Sequence, residues 1–427
     1  MTMSSEDVSP STFITVADGT DDPPPLVRGS VNRLLVWVFP ANLVLFLLWG
    51  SIPGLLLPHQ LELLDPARKV ADLGIVTSVG AFGAMVVAPI IGQISDRTRS
   101  RYGRRAPWIV VGALAGTLAA IGLACAHDLL AVAIAWPLVQ IFYNIAQGPL
   151  TTILPDRIPR RRRGVFAAVA GIGGMSGSLL GSVVGAVMYD NLAVGYVVFA
   201  VTALTVLILF VVFNPDHSST DMRIQPFRIA DFLNAFWVNP VAHPDFFWAF
   251  LGRLLLFTGY FLIQGYQLYL LSDYLHLPNP QKAVPVIGFI ALVGIIISTV
   301  ISGPASDRVG RRKPFVFCSS IVMGLAAILP WAWPTLTSWF IMTGILGLGF
   351  GMYAAVDQAL MADVLPSAQS FGKDLGVINI AATLPQTIAP AIAGAIVLTF
   401  GFAGLFPFSI ALSLLGAASV WAIRSVR

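Results

Sequence analysis

Charge is what this sequence has least of. Asp, Glu, Lys and Arg make up 11% of its 427 residues, against 56% hydrophobic residues, and the mean hydropathy is +0.81. A soluble chain carries roughly a quarter charged residues, so a water-soluble globular domain is excluded and an integral membrane protein is expected. Cysteine is nearly missing too. Cys125 and Cys318 lie far apart in apolar segments, which excludes a disulfide framework and a thiolate metal motif. The five histidines, His59, His127, His217, His243 and His276, are scattered without ligand spacing. The His, Cys or acid cluster that a membrane enzyme needs at one face is therefore not there, and neither an enzyme nor a bound cofactor is expected. The net charge of +4 is no nucleic-acid signal, because the bases sit in short loops between apolar runs. Residues 1–28, rich in Ser, Thr, Asp and Pro with a "DDPPP" break, read as a disordered cytoplasmic tail and not as a signal peptide.

Long apolar runs are abundant. Twelve reach the roughly 20 residues that cross a bilayer as helix: 31–57, 71–95, 106–126, 129–154, 165–189, 192–213, 245–271, 283–304, 314–333, 337–361, 372–399 and 402–423. The fifth carries "GIGGMSGSLLGSVVGAV" (Gly171–Val187), small residues that let helix backbones approach closely in lipid. Of the 25 Lys and Arg, all but four fall in segments on one side of the membrane. Arg68, Lys69 and Lys282 lie on the other, and Arg253 is inside a span. This bias predicts that both termini are cytoplasmic. The chain is expected to be all-α, with a membrane-lipid environment in the plasma (inner) membrane.

The segment "GQISDRTRSRYGRRAPW" (Gly92–Trp108) gathers five arginines and one aspartate between two apolar spans. Orientation explains the arginines but not the placement of Asp and Gly. A repeat does. "GQISD…GRRAP" recurs as "GPASD…GRRKP", with Gly103-Arg104-Arg105 mapping to Gly310-Arg311-Arg312 at an offset of 207. Asp156 and Pro159 map to Asp363 and Pro366, and Gln60-Leu61 to Gln267-Leu268, at the same offset. Two six-span halves related by duplication follow: 29–213 and 245–427, joined by a cytoplasmic linker at 214–244. In the linker, Phe232, Leu233, Phe236 and Trp237 share a helical face suited to an interfacial helix.

Two six-span halves with G-x-x-S-D-R and G-R-R in both the 2–3 and 8–9 loops resemble the major facilitator superfamily, over residues 29–427. "SDRTRSRYGRRAPW" together with "NIAQGPLTTILPD" (Asn144–Asp156) narrows this to a likeness to the glycoside–pentoside–hexuronide:cation symporters and the related sucrose–proton symporters. The resemblance implies two six-helix bundles that alternate access to a central site lined by spans 1, 4, 7 and 10. It also implies a cytoplasmic latch. Asp96 would meet the N-terminal end of span eleven near Gly372–Leu375, a carboxylate at a helix N-terminus. Arg104 and Arg105 would pair with Asp156, and Arg311 and Arg312 with Asp363. Arg97, Gly103, Asp307 and Arg308 complete the two latch copies. The sequence departs from plant sucrose–proton symporters where they place an acid in span four, here Gln140, and an arginine near its cytoplasmic end, here Thr151.

Charges inside spans are costly and mark functional candidates. Arg253 and Asp357 lie at similar depth in spans seven and ten and are expected to face each other. In one reading Asp357 carries the coupling proton and Arg253 displaces it. In the other the two form a permanent structural salt bridge. The first half is expected to hold no such acid. Gln140, Tyr143, Asn144 and Gln147 in span four, Gln264 and Gln267 in span seven, and Asp357 and Gln358 in span ten are the candidate substrate residues. Amides that donate and accept, beside aromatic faces, suit a neutral polyhydroxyl ligand. Each is equally suited to join helices. The expected function is cation-coupled uptake of a sugar or glycoside, with a proton as the coupling cation, by a monomer that forms its cavity within one chain. A proton-driven exporter of hydrophobic small molecules is the competing class.

Overall fold

The computed structural model describes residues 31–220, 243–363 and 371–423; within them the side chains of Arg160, Asp307, 358–359, 361–363, 371–379 and 382 lie outside the described set. Among the described residues, twelve helices are long and apolar enough to cross a membrane. In chain order they are α1 (Val31–Leu64), α2 (Lys69–Arg97), α3 (Ala106–Ala124), α4 (Leu129–Arg157), α5 (Arg163–Val187) and α6 (Leu192–Phe213). The second set is α7 (Pro244–Gln264), α8 (Pro280–Val309), α9 (Lys313–Ala332), α10 (Leu336–Asp363), α11 (Phe371–Phe400) and α12 (Phe402–Trp421). Where no water can pair with the backbone, helices satisfy their own N–H and C=O groups, and these twelve account for nearly all of the described chain.

The helices form two bundles. α1 runs along α5, α4 along α2 and α3, and α6 closes on α1 and α3; α8 runs along α10, α7 along α11 and α12, and α9 sits against α10 and α12. The bundles meet where α2 lies on α11 and α5 on α8. The α1–α5 contact explains the small-residue run. A Cβ on Gly177 or Gly181 would collide with the backbone carbonyl of Leu43 or Leu47, so only glycine permits that approach. Lipid-facing apolar residues such as Leu118, Val300 and Leu398 stay exposed, as a bilayer solvent allows.

The repeat is visible in the backbone. Gly103 and Gly310, the paired glycines of the two G-R-R segments, have φ of +86° and +63°, a conformation in which Gly alone pays no steric penalty. Two spans differ from their expected limits. α1 continues to Leu64 through a π-turn at Ile52–Leu56 that holds Pro53 and Gly54, since proline removes one intrahelical bond and the wider turn absorbs it. α7 stops at Gln264 rather than 271, and a turn at Gly265–Tyr266 separates it from the short helical segment that follows. The first bundle also reaches past residue 213. Buried Arg157 donates to the carbonyls of Asn214 and Pro215, and Ser219 donates to that of Thr98. The tail, the candidate interfacial helix at Phe232–Trp237 and residues 424–427 lie outside the described residues.

Candidate functional site

A cavity of about 1000 Å³ opens between the bundles, with walls from α1, α2, α4 and α5 on one side and α7, α8, α10 and α11 on the other. Its wall reaches Gly92, Gly148, Thr151 and Thr152, one turn short of Asp96 and Asp156, and Thr151 is exposed. The cavity therefore runs out towards the arginine-rich end. At the opposite end the bundles are fastened together. Lys69 Nζ, at the start of α2, donates to Glu62 at 2.6 Å and to Asp273 of the second bundle at 2.8 Å. Tyr269 Oη donates across to the Pro58 carbonyl at 2.7 Å, and Tyr266 Oη to that of Val70 at 2.8 Å. Leu55 and Leu268 pack together behind them.

The wall is polar on selected faces and carries no charged side chain among the described residues. Gln140, Asn144 and Gln147 of α4 all line it, as their i, i+4, i+7 spacing requires, and so do Gln264 and Gln267. Trp49 Nε1 donates to Gln147 Oε1 at 3.1 Å, which leaves the amide nitrogen as a donor. Asn144 Nδ2 donates to the Gln140 carbonyl at 2.8 Å. Trp49, Tyr260 and Phe350 add aromatic faces.

Two candidates, Tyr143 and Asp357, stand away from the wall, and so does Gln60, the repeat partner of Gln267. Tyr143 is fully buried, turned from the cavity into a slot over Gly116 of α3, with its hydroxyl 3.3 Å from Thr117 Oγ1. The missing side chain at Gly116 makes that slot. Gln60 serves structure instead: it donates to the carbonyls of Leu123 and Ala126 and accepts from Tyr196. Asp357 is 3% exposed and lies behind the wall. Its Oδ2 is 3.2 Å from Arg253 Nη1, and the buried Tyr353 precedes it by one turn of α10. The Gln358 side chain lies outside the described residues.

At the arginine-rich end, Arg105 is 4% exposed and holds two carboxylates. Its Nη2 lies 2.6 Å from Asp96 and 2.9 Å from Asp156, and its Nη1 donates to Ser95 at 3.0 Å. Arg104 Nη2 reaches Asp156 Oδ1 at 2.7 Å. Asp96 is thus bound within its own bundle; the α11 side chains at 372–375 lie outside the described residues. In the second copy, Arg308 and Arg311 are exposed, Arg312 is half-buried, and the Asp307 and Asp363 side chains lie outside the described residues.

Sequence reasoning missed two features. The first half does hold an acid: Asp72 is 2% exposed, with Arg68 Nη2 3.7 Å from it. It was hidden because α2 begins at Lys69, which puts Asp72 in the first helical turn, where the helix dipole favours a carboxylate. The Glu62–Lys69–Asp273 cluster was missed as well. Its signal was the scarcity of cations at that end, which makes each one there informative.

Comparison with known proteins bears on family and fold. Residues 69–423 match the family model described as MFS/sugar transport protein. The curated relative "Sucrose transport protein SUC4" of Arabidopsis thaliana is 28% identical over 156 residues, which is 31% of this chain and 30% of that protein. The match therefore spans less than a third of the relative's length. Among solved structures, the nucleoside transporter NupG aligns with a TM-score of 0.71 at 15% identity, over 91% of this chain and 98% of that one. A bacterial homologue of the human lysosomal transporter Spinster, in an inward-facing and unoccupied conformation, aligns at 0.65 with 13% identity, over 92% and 95%.

Proposed function

This chain belongs to the MFS/sugar transport protein family, a multi-pass membrane transporter and not an enzyme, and from that premise we propose that it takes up a sugar or glycoside by alternating access, coupled to a proton. The observation that carries the substrate class is the wall: amides and aromatic rings from both bundles, with no charged side chain among the described residues. Such a surface can donate to and accept from several hydroxyls at once while stacking on a pyranose face. An organic ion would enter it without a counter-charge, at the cost of burying that charge unpaired. The apolar share of the wall, with Phe46, Leu179 and Ile295, supports the competing reading, export of hydrophobic compounds.

The arginine-rich end is taken as cytoplasmic, in the plasma membrane, with both termini on that side. The structure is then the state open to the cytoplasm, and the Lys69 cluster seals the outside. In the opposite state Asp96 would leave Arg105 for the N-terminal end of α11, and Arg104 and Arg105 would keep Asp156; Arg311, Arg312 and Asp363 would act likewise in the second bundle. Such exchange suits bidentate pairs, which form only at good geometry. Asp357 is the proton carrier in this reading, with Arg253 as its counter-ion when the cavity is empty. The units are the bundles 29–213 and 245–427 with a linker at 214–244 whose first residues, to Ser219, pack on the first bundle, in a monomer.

The test uses de-energised cells in weakly buffered medium, offered a panel of mono- and disaccharides and glycosides while external pH is followed. Sugar-specific alkalinisation that is lost in Asp357→Asn supports the reading. Alkalinisation that survives in the mutant moves Asp357 to a structural role. Sugar entry with no pH change means another cation or uniport. Neither pH change nor entry removes the sugar and favours the exporter.

A further inference from the structure

Asp357 does not touch the cavity, so a bound sugar needs a way to affect it. One residue lies between the two. Phe257 of α7 follows Arg253 by one turn, and the Arg253 guanidinium sits 5.7 Å from its ring centroid. The same ring meets Tyr353 edge-on at 5.6 Å and 87°, and Tyr353 lies one helical turn before Asp357 on α10. On its cavity side, Phe257 meets Phe350 edge-on at 6.1 Å and stacks on Phe261 at 6.3 Å. Phe350 and Phe261 are wall residues, and Tyr260, also in the wall, packs on both at 5.6 and 5.2 Å. One ring thus touches Arg253 of the ion pair, the Tyr353 ring one turn before Asp357, and two members of the wall.

We propose that Phe257 is the positioning residue that links occupancy of the cavity to the Arg253–Asp357 pair. The inference rests on the reading of Asp357 as proton carrier. With the cavity empty, Phe257 holds the guanidinium on Asp357. A sugar packed on Phe350 and Tyr260 moves the ring stack, and Phe257 carries Arg253 off the carboxylate. Among the described residues, the charged and titratable groups facing Asp357 are Arg253 on α7 and Tyr353 on its own helix. Without Arg253, the carboxylate is buried and uncompensated, and it takes one proton from water; the sugar is chemically unchanged. Linkage is reciprocal, so the proton raises sugar affinity as much as the sugar raises proton affinity.

The test measures sugar affinity against pH, protons taken up per sugar bound, and sugar exchange in proteoliposomes. The probes are sucrose, maltose, lactose, melibiose and methyl-β-glucoside, on the full chain. Wild type is expected to take up protons on binding, with affinity changing by up to about tenfold per pH unit through the titration of Asp357. Phe257→Ala is expected to keep exchange but flatten the pH dependence to under about twofold, and Phe257→Tyr to restore it. A Phe257→Ala protein that binds and takes up protons like wild type, while Asp357→Asn does not, overturns the role of Phe257 and leaves the proton site intact. Linkage that persists in Asp357→Asn overturns the proton site, and this inference with it. Binding of none of the five probes overturns both.

Discussion

Lys69 Nζ lies 2.8 Å from Asp273 Oδ2, and this contact joins the two bundles at the end away from the arginine-rich loops. Lys69 is 13% exposed and Asp273 29%, so water screens the pair only partly. A pair of this kind contributes about 1 kcal/mol, enough for about a fivefold shift between two conformers. Lys69→Met is therefore expected to open the outer end more often. Gly54 lines the cavity and has open space where a Cβ would go, so Gly54→Cys in a Cys125→Ser, Cys318→Ser background is a suitable reporter. Labelling by an impermeant maleimide added outside cells should rise severalfold with Lys69→Met. An unchanged rate would mean that Tyr269 and the Leu55–Leu268 contact hold the seal without it.

How much of this was legible beforehand depended on whether a residue's role is local. Gly103 and Gly310 could be paired from sequence because a turn needs its glycine at a fixed place, and both do adopt positive φ. Gln140, Asn144 and Gln147 could be grouped because helical period alone puts them on one face, and all three line the cavity. Tyr143 could not be sorted that way. It sits only a fraction of a turn from that face, and its direction is decided by the slot at Gly116 on another helix. Lys69 and Asp273 are 204 residues apart, and no local pattern announces that they meet.

The Arg253–Asp357 pair has a stability consequence separate from transport. Asp357 is almost wholly buried, and Arg253 Nε has no hydrogen-bond partner. Removing one partner leaves a buried carboxyl that must either stay charged unpaired or take up a proton, at a cost of up to about 3–5 kcal/mol, whereas replacing both is close to neutral. Arg253→Met alone is expected to lower the unfolding temperature clearly, and Arg253→Met with Asp357→Leu to recover most of the loss. Thermal unfolding in detergent reads both. A double variant as unstable as the single one would show that Arg253 acts through packing on Phe257 and not through charge.

The α1–α5 contact tolerates no side chain at Gly177, where a Cβ would run into the Leu43 carbonyl. Backbone cannot yield as a flexible side chain can, so overpacking here is expected to cost about 1–3 kcal/mol or more. Gly177→Val should lower the yield of folded protein and the unfolding temperature. Gly171→Val, on the same helix but with nothing near its Cβ, should do neither. Equal behaviour of the two would mean that α1 and α5 pack less closely than described.

Asn144 and Tyr143 are neighbours on α4 with opposite surroundings. Asn144 lines the cavity and spends one donor on the Gln140 carbonyl, so its remaining amide capacity faces the ligand space. The Tyr143 hydroxyl is spent on Thr117, away from that space. If the cavity takes a polyhydroxyl ligand, Asn144→Leu removes hydrogen bonds that only the ligand replaces, each worth about 0.5–1.5 kcal/mol. The KM for the transported sugar should then rise by about two- to tenfold. Tyr143→Phe should leave KM within about twofold and cost at most about 1 kcal/mol of stability, because Thr117 Oγ1 keeps the Ala200 carbonyl as its acceptor. Uptake kinetics and thermal unfolding on both variants separate the cases. A large KM effect from Tyr143→Phe would mean that its ring turns into the cavity during the transport cycle.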